Sequence, residues 1–312
     1  MTAQRPILTV TLNPALDVSA STDRVVPGPK LRLTDVVTEP GGGGVNVARA
    51  VLRLGGQVRA LVALGGPTGA RLAEMLRSEG LAVIAHPVPG ETRQSLVVTD
   101  AAGAQFRFVL PGAEFPDQAP LIDAILANSA DDGIVVLSGS QPPGLCADFP
   151  ARLATALPGR QVIVDTSGPA LDHITRHPTA IAVLRMDQAE AEAVAGRALT
   201  SAQETAGFCA SLVRQGVAQM VIAARGAEGS VLACAQGRWH AVPPVVPVIS
   251  KTGAGDSFTA GFALGLALGL DPAAALQAGT AAAAAAVMTP GTELCRRSDA
   301  DRLRAACRIA TL

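Results

Sequence analysis

The segment KTGAGDSFTAGFALGL, residues 251–266, places a carboxylate, Asp256, at the start of an apolar helix and directly behind Gly253, Ala254 and Gly255. Glycines ahead of a helix let backbone N–H groups converge on a point, and the helix N-terminus adds a partial positive charge there. The result is an anion hole. Asp256 then has two readings: a helix N-cap that satisfies orphan N–H groups, or a base beside a bound phosphoryl group. The cap has no need of two neighbouring glycines. In the second reading Asp256 accepts a proton from an attacking hydroxyl while the N–H groups take up charge developing on the phosphate. No GxxxxGK[ST] occurs anywhere in the chain. GAGDSFTAG also lies too late, and lacks an acidic partner about 20 residues on, for a dinucleotide-binding fingerprint.

A second constellation is EPGGGGVNVARAVLRLGG, residues 39–56. Four glycines, then Asn46 and a helix, allow close backbone approach to a ligand, with a side-chain amide to read hydroxyls. A flexible turn with a helix cap is the alternative, but four successive glycines cost considerable entropy on folding, which favours a ligand. NPALD, residues 13–17, follows the first apolar run and sets Asp17 at the C-terminal end of that predicted strand, where ligands sit in open α/β sheets.

The elements that must position these groups alternate. Strands are predicted at 7–12, 58–64, 133–139, 161–165, 181–185, 220–224 and 229–234, several apolar throughout, as expected when both faces of a parallel sheet are covered. Helical patterns fall at about 45–54, 68–79, 117–129, 147–156, 187–195 and 201–215, with an alanine-rich helix over 272–287 opened by Asp271 and Pro272. The alternation predicts an α/β layered fold. Segments 17–38 and 91–110 instead alternate polar and apolar residues around turn signals and read as half-exposed hairpins, a small sheet standing off the body as a lid.

The 312 residues can bury a large core, and the formal charge of −1 gives no electrostatic footprint for nucleic acid or an anionic membrane. A small molecule is the expected partner. The most apolar stretch, Phe258–Leu270, carries three glycines and is shorter than the roughly 20 residues a membrane-spanning helix needs, so it reads as a buried helix. Five widely spaced cysteines without CxxC or Cys/His grouping fit a reducing compartment. With no signal-peptide pattern behind Arg5, a cytoplasmic location is expected.

TLNPALD, EPGGGGVNVARA, TRQSL, FRFVLPGA, LSGSQPPG, VDTSG and KTGAGDS, in this order over nearly the whole chain, resemble the phosphofructokinase B family of the ribokinase-like sugar kinases. EPGGGG and RFVLPG look most like its ATP-dependent 6-phosphofructokinases; 1-phosphofructokinases and tagatose-6-phosphate kinases are the nearest cousins. The resemblance implies one kinase domain over 1–312, with a three-layer α/β/α body and a mainly parallel sheet. It also implies a small β-sheet lid doubling as a homodimer interface, and phosphoryl transfer from Mg-ATP to a sugar phosphate, with fructose 6-phosphate foremost. Matched residue by residue, Asp256 is the base and Gly253, Ala254 and Gly255 the anion hole. Asp17, Gly42, Gly43 and Asn46 hold sugar hydroxyls; Lys30, Arg93, Arg107 and Ser140 lie near the substrate's phosphate. The residues themselves agree on one point, because arginines on the lid suit bidentate recognition of a phosphate.

The nucleotide side departs from the family pattern. Where members usually carry Lys-Pro-Asn and a Glu three residues later, this chain reads Arg185, Met186, Asp187 and Glu190. Arg185 keeps a cation, Glu190 a carboxylate suited to orienting magnesium through water, and Asp187 replaces a neutral amide with an anion. Gly226 and Gly229 match the nucleotide loop, and Ser250, Thr252, Thr289 and Gly291 lie where the family often holds a monovalent cation such as K⁺. The altered segment leaves a different class of function open, a non-catalytic sensor of sugar phosphate or nucleotide. An ordinary Asp near pKa 3.9 is a weak base, so the expected catalysis rests mainly on positioning in a loose transition state.

Overall fold

The first apolar run forms strand β1 (Ile7–Thr11), buried along its whole length. Pro14, with no N–H to donate, closes it off. The chain then leaves the body as β2 (Ala15–Thr22) and β3 (Thr34–Gly41), and returns as α1 (Gly43–Arg53), β4 (Arg59–Leu64), α2 (Gly66–Ser78) and β5 (Ala82–Pro87). It leaves once more as β6 (Arg93–Asp100) and β7 (Gln105–Val109). The rest stays in the body: α3 (Ala119–Asn128), β8 (Ile134–Ser138), α4 (Phe149–Ala156), β9 (Gln161–Asp165), α5 (Pro169–Ile174), β10 (Val183–Met186) and α6 (Gln188–Ala195). Then come α7 (Ala202–Arg214), β11 (Met220–Ala224), β12 (Ser230–Cys234), β13 (Gly237–Val242), α8 (Ala254–Ala267), α9 (Pro272–Ala286), α10 (Arg297–Ala306) and β14 (Arg308–Thr311). This computed structural model describes residues 3–115 and 117–312.

The body is a ten-stranded sheet in the order β14-β13-β12-β11-β10-β9-β8-β1-β4-β5. From β11 to β5 neighbouring strands run parallel, and β12, β13 and β14 extend the sheet antiparallel. Successive side chains on a strand face opposite sides, and the apolar residues divide accordingly. Ile7, Ile134, Val136 and Ile163 pack under α1, α8, α9 and α10, whereas Leu8, Val10, Val135 and Val162 pack under α3, α4, α5 and α7. The three-layer α/β/α body is thus written into the two faces of the same strands. α8 is buried along most of its length, and Gly261 and Gly265 let α9 approach at a spacing a Cβ would obstruct.

The small sheet has the order β3-β2-β6-β7. β6 and β7 form the expected hairpin, but β2 and β3 are joined by the long connection 23–33, and β2 pairs with β6 in parallel. Asp17 therefore lies on β2 of the small sheet rather than at the end of β1, because the Asn13–Pro14 break redirects the chain before Asp17 is reached. Elements absent from the sequence reading share a physical cause. β14 is exposed at the sheet edge, β5 is half-exposed and ends in His86 and Pro87, α5 is six residues long, and charged α10 buries only Ala300 and Leu303. Each buries too little apolar surface to leave a clear period. No helix among the described residues is long and apolar enough to cross a membrane, and all five cysteines are free.

Candidate functional site

The site lies at the C-terminal ends of β8, β9 and β10, where α8 and α1 begin. A cleft of about 180 Å³ is lined by Ser138, Gly139, Ser140, Asp165, Thr166, Ser167, Arg185, Glu190 and Asp256. Gly253 adopts a left-handed conformation (φ 76°) as the residue before α8, which any residue with a Cβ would find strained. Ser257 N–H is bonded to Gly253 O at 2.9 Å and Ala254 N–H to Lys251 O at 3.5 Å, while helix geometry leaves the N–H groups of Gly255 and Asp256 without an i−4 partner inside the helix. Gly255 admits the Arg185 guanidinium, since a Cβ there would stand 3.1 Å from Arg185 Nη2. The Arg185 guanidinium thus lies against the first turn of α8, from which Asp256 lines the cleft.

Asp256 makes no side-chain cap for α8. Its Oδ2 accepts instead from Asn46 Nδ2 at 2.9 Å, across the cleft on α1. Burial pushes the Asp256 carboxyl up to about 7, the Asn46 amide and Arg185 work against that rise, and Asp165 and Asp17 add to it. The expectation of an ordinary weak base is therefore corrected. Low solvation and two neighbouring carboxylates give this Asp a proton affinity matched to neutral pH. Asp17 is similarly raised, to about 6, by burial and by Glu39 opposite it on β3, against Arg93 and Arg49.

Asp165, which sequence reading left without a role, is at the centre of the cleft's polar network. Arg185 Nη1 donates to its Oδ1 at 3.2 Å and Thr259 Oγ1 to its Oδ2 at 2.8 Å. The available signal was VDTSG itself, a run of apolar strand residues ending in a carboxylate. Burial works against the charge on Arg185, yet Asp165, Glu190 and Asp256 together hold its pKa above the ordinary value.

The glycine run has a packing explanation that the entropy argument missed. A Cβ on Gly44 would stand 2.5 Å from Val10 O, one on Gly43 2.6 Å from Ser138 Oγ, and one on Gly41 inside the Asp17 carboxylate. Close approach of α1 to β1 and β8 requires Gly44 and Gly43, and Gly41 on β3 leaves room for Asp17 on β2, before any ligand is considered. Gly229 is constrained in the same way: at φ 94° its Cβ would overlap Ala241 O. Gly226, at φ 57°, begins the short 3₁₀ turn 226–228 between β11 and β12.

On the altered nucleotide segment, Asp187 caps α6. Its Oδ1 accepts from Glu190 N–H at 2.8 Å, and Glu190 Oε2 accepts from Asp187 N–H at 2.8 Å. This capping box was legible as Asp-x-x-Glu ahead of a helix and was missed. Burial raises the Glu190 carboxyl above its usual range. A hard divalent cation usually takes one or two protein carboxylates and completes its shell with water and nucleotide phosphates. Glu190 and Asp165 on the cleft wall supply two carboxylates of that kind, and no group of three or more His, Cys, Asp or Glu side chains that could hold a metal occurs among the described residues.

Of the expected phosphate-end residues, the structure brings two together. Arg93, half-buried, donates from Nη2 to Asn13 O at 3.1 Å, and Asn13 Nδ2 donates to Ser140 Oγ at 3.1 Å. Lys30 lies in the exposed 23–33 connection, and Arg107 is exposed on β7, donating to Gln105 Oε1 at 3.4 Å. Neither reaches the cleft within this single chain.

The pfkB family carbohydrate kinase model matches residues 12–299. An ATP-dependent 6-phosphofructokinase isozyme 2 of Mycobacterium tuberculosis is 36% identical over 95% of this chain and 88% of its own. The Escherichia coli protein of that name is 35% identical over 96% of this chain and 98% of its own, and a 1-phosphofructokinase of Xanthomonas campestris is 33% identical over 86% of each. Two crystal structures of the Escherichia coli phosphofructokinase-2 superpose closely. The potassium complex gives a TM-score of 0.90 at 35% identity, covering 97% of this chain and 99% of that one. The fructose 6-phosphate complex gives 0.87 at 34% identity with the same coverage. The chain belongs to the pfkB family of carbohydrate kinases.

Proposed function

We propose that the protein transfers the γ-phosphoryl group of ATP to the C1 hydroxyl of fructose 6-phosphate. The observation that carries this reading is Asp256, a carboxyl raised to about 7, held by Asn46 beside the N-terminus of α8. Asp256 takes the proton of the attacking hydroxyl, and the backbone amides of Gly253, Ala254 and Gly255 receive the charge that develops on the transferring group. Asp17, Gly42, Gly43 and Asn46 orient the sugar; Arg93 and Ser140, joined by Lys30 and Arg107, hold its phosphate. Arg185, Gly226 and Gly229 face the nucleotide, and Asp187 serves them indirectly by fixing Glu190. When bound, Mg²⁺ supplies charge neutralisation at the phosphates, with Glu190 and Asp165 as its protein partners. A monovalent cation fits near Ser250, Thr252, Thr289 and Gly291, where Ser250 Oγ already bonds to Gly291 O at 2.8 Å.

Residues 1–312 act as one kinase domain, and the small sheet is its lid. Closure of that lid excludes water and aligns hydroxyl with phosphate, which supplies most of the rate. The outer strands of the lid expose Val36, Val37, Phe108 and Val109. A second copy covering this apolar surface gives a homodimer, and brings a further Lys30 or Arg107 toward each cleft. A cytoplasmic location accords with the free thiols. Capping of α6 by Asp187 and pairing of Arg185 with Asp165 give the altered segment a structural use that is compatible with catalysis, which favours the kinase over a sensor.

The test is ADP release by the purified protein with Mg-ATP, offered fructose 6-phosphate, fructose 1-phosphate and tagatose 6-phosphate in parallel. A dominant rate on the first is expected. Preference for either of the others reassigns the acceptor, and silence on all three with the protein folded overturns the kinase reading.

A further inference from the structure

The small sheet joins the body through four chain crossings: between β1 and β2, between β3 and α1, between β5 and β6, and after β7. Asn13 and Pro14 occupy the first and between them lie against residues of the other three. Gly42, at the second, abuts the Asn13–Pro14 backbone so closely that a Cβ would stand 3.0 Å from Pro14 Cα. Arg93, opening β6, donates from Nη2 to Asn13 O at 3.1 Å. Gly112, after β7, lies against Asn13 Oδ1, and a Cβ on it would overlap that oxygen. Asn13 Nδ2 reaches the body itself, donating to Ser140 Oγ at 3.1 Å in the loop after β8. The Asn13–Pro14 backbone therefore meets the second and third crossings, and the Asn13 side chain meets the fourth and the body.

Two further atoms mark this as a place set up for a ligand. Arg93 Nε and Asn13 Oδ1 are both buried without a hydrogen-bond partner, a donor and an acceptor each carrying an uncompensated desolvation cost. A rigid hinge with no ligand to receive would not be expected to keep both. Arg93 has Nη2 held by the Asn13 carbonyl and Nε left without a partner.

We propose that Asn13 is a positioning residue. Its carbonyl holds Arg93 of the small sheet and its side chain ties that same backbone to Ser140 of the body, so the side chain sets the relative placement of the two and with it affinity for the phosphate end of the sugar, without touching the reacting atoms. This rests on the sugar-phosphate kinase reading above. It assigns to the Asn of NPALD a role that neither the anion hole nor the nucleotide side requires.

The experiment compares the full-length wild type with Asn13→Ala and Asn13→Asp. The second variant keeps size and backbone, and lets Ser140 donate where it now accepts, but places a charge beside the phosphate subsite. Both are expected to raise the KM for fructose 6-phosphate by about tenfold or more, the size of a lost hydrogen bond to a charged site. The KM for ATP and kcat should stay within about twofold, a split that general loosening of the fold would not give. Ser140→Ala should raise the sugar-phosphate KM in the wild type and add little in Asn13→Ala, because the two act as one unit. An unchanged sugar-phosphate KM in both Asn13 variants, or an equal rise in the KM for ATP, overturns the proposal. Amide hydrogen exchange along β6 separates failure of the kinase reading from failure of this one. If the wild type phosphorylates no sugar phosphate, faster exchange in Asn13→Ala than in wild type still upholds the pivot, and equal exchange overturns it.

Discussion

Asn46 on α1 and Asp256 on α8 are 210 residues apart in the chain and joined by a 2.9 Å hydrogen bond, the amide nitrogen donating to the carboxylate. A donor to the ionised form lowers a carboxyl's pKa, and this bond restrains a rise that burial and the neighbours Asp165 and Asp17 would otherwise carry further. Turnover that needs ionised Asp256 should fall on the acid side of about pH 7. In Asn46→Ala that acid limb should move to higher pH, as measured by kcat at saturating substrates. A limb that stays in place, or moves down, would separate Asn46 from the base.

Asp256→Asn removes the base and keeps the shape. Substrate binding should persist while kcat drops by at least about a hundredfold, the low end for a general base. Stability should change the other way. A carboxyl whose folded pKa is raised contributes stability that is full below its unfolded pKa of 3.8 and is lost as pH rises through about 7. At pH 8 the Asn variant should therefore be the more stable, by at most about 4 kcal/mol, with the gap closing toward pH 4. Urea denaturation at the two pH values measures it.

Arg185 and Asp165 are each only about an eighth exposed, at 13% and 12%. Removing one partner of such a pair leaves a poorly solvated charge. Asp165→Ala should cost about 3 kcal/mol in chemical denaturation, the low end for a buried pair because Glu190 and Asp256 remain near Arg185. Asp165→Asn keeps one acceptor oxygen for Arg185 and can donate its amide N–H to Thr259 Oγ1, so it should cost less. Equal losses in the two variants would mean that charge is not what the pair supplies.

Asp187→Asn distinguishes capping from repulsion. Asn is as good an N-cap as Asp, so stability should hold within about 0.5 kcal/mol. Asp187 is exposed and its carboxylate is turned to the Glu190 N–H, so the KM for ATP should change by less than about threefold. A much tighter KM would show that the anion opposes the triphosphate directly.

The glycine-flanked helix start at Gly253–Asp256 was legible because it stands in a short motif whose residue types have few other uses, whereas Asp17 was expected on the wrong strand and, of the two lid arginines, Arg93 alone is joined to a residue that contacts the cleft wall. The strands of the two-faced sheet were equally plain, since Ile-Val-Val-Leu runs such as 134–137 have no polar face to confuse the period. The Asp187–Glu190 box was readable and was passed over. Asp165 was not readable as a partner, because nothing local to VDTSG says that β10 will bring Arg185 beside it or that α8 will bring Thr259.

The sequence by itself determined the layered α/β body, the departures of the chain to a small sheet and a glycine-flanked helix start followed by a carboxylate. These depend on periodicity, turn chemistry and neighbours within a few residues. Tertiary structure alone decided the proton affinity of Asp256, the steric need for Gly41, Gly43, Gly44 and Gly229, and the position of Asn13 at the four crossings. Those properties come from burial and from groups supplied by distant segments, and desolvation has no sequence signature until the chain has folded around it.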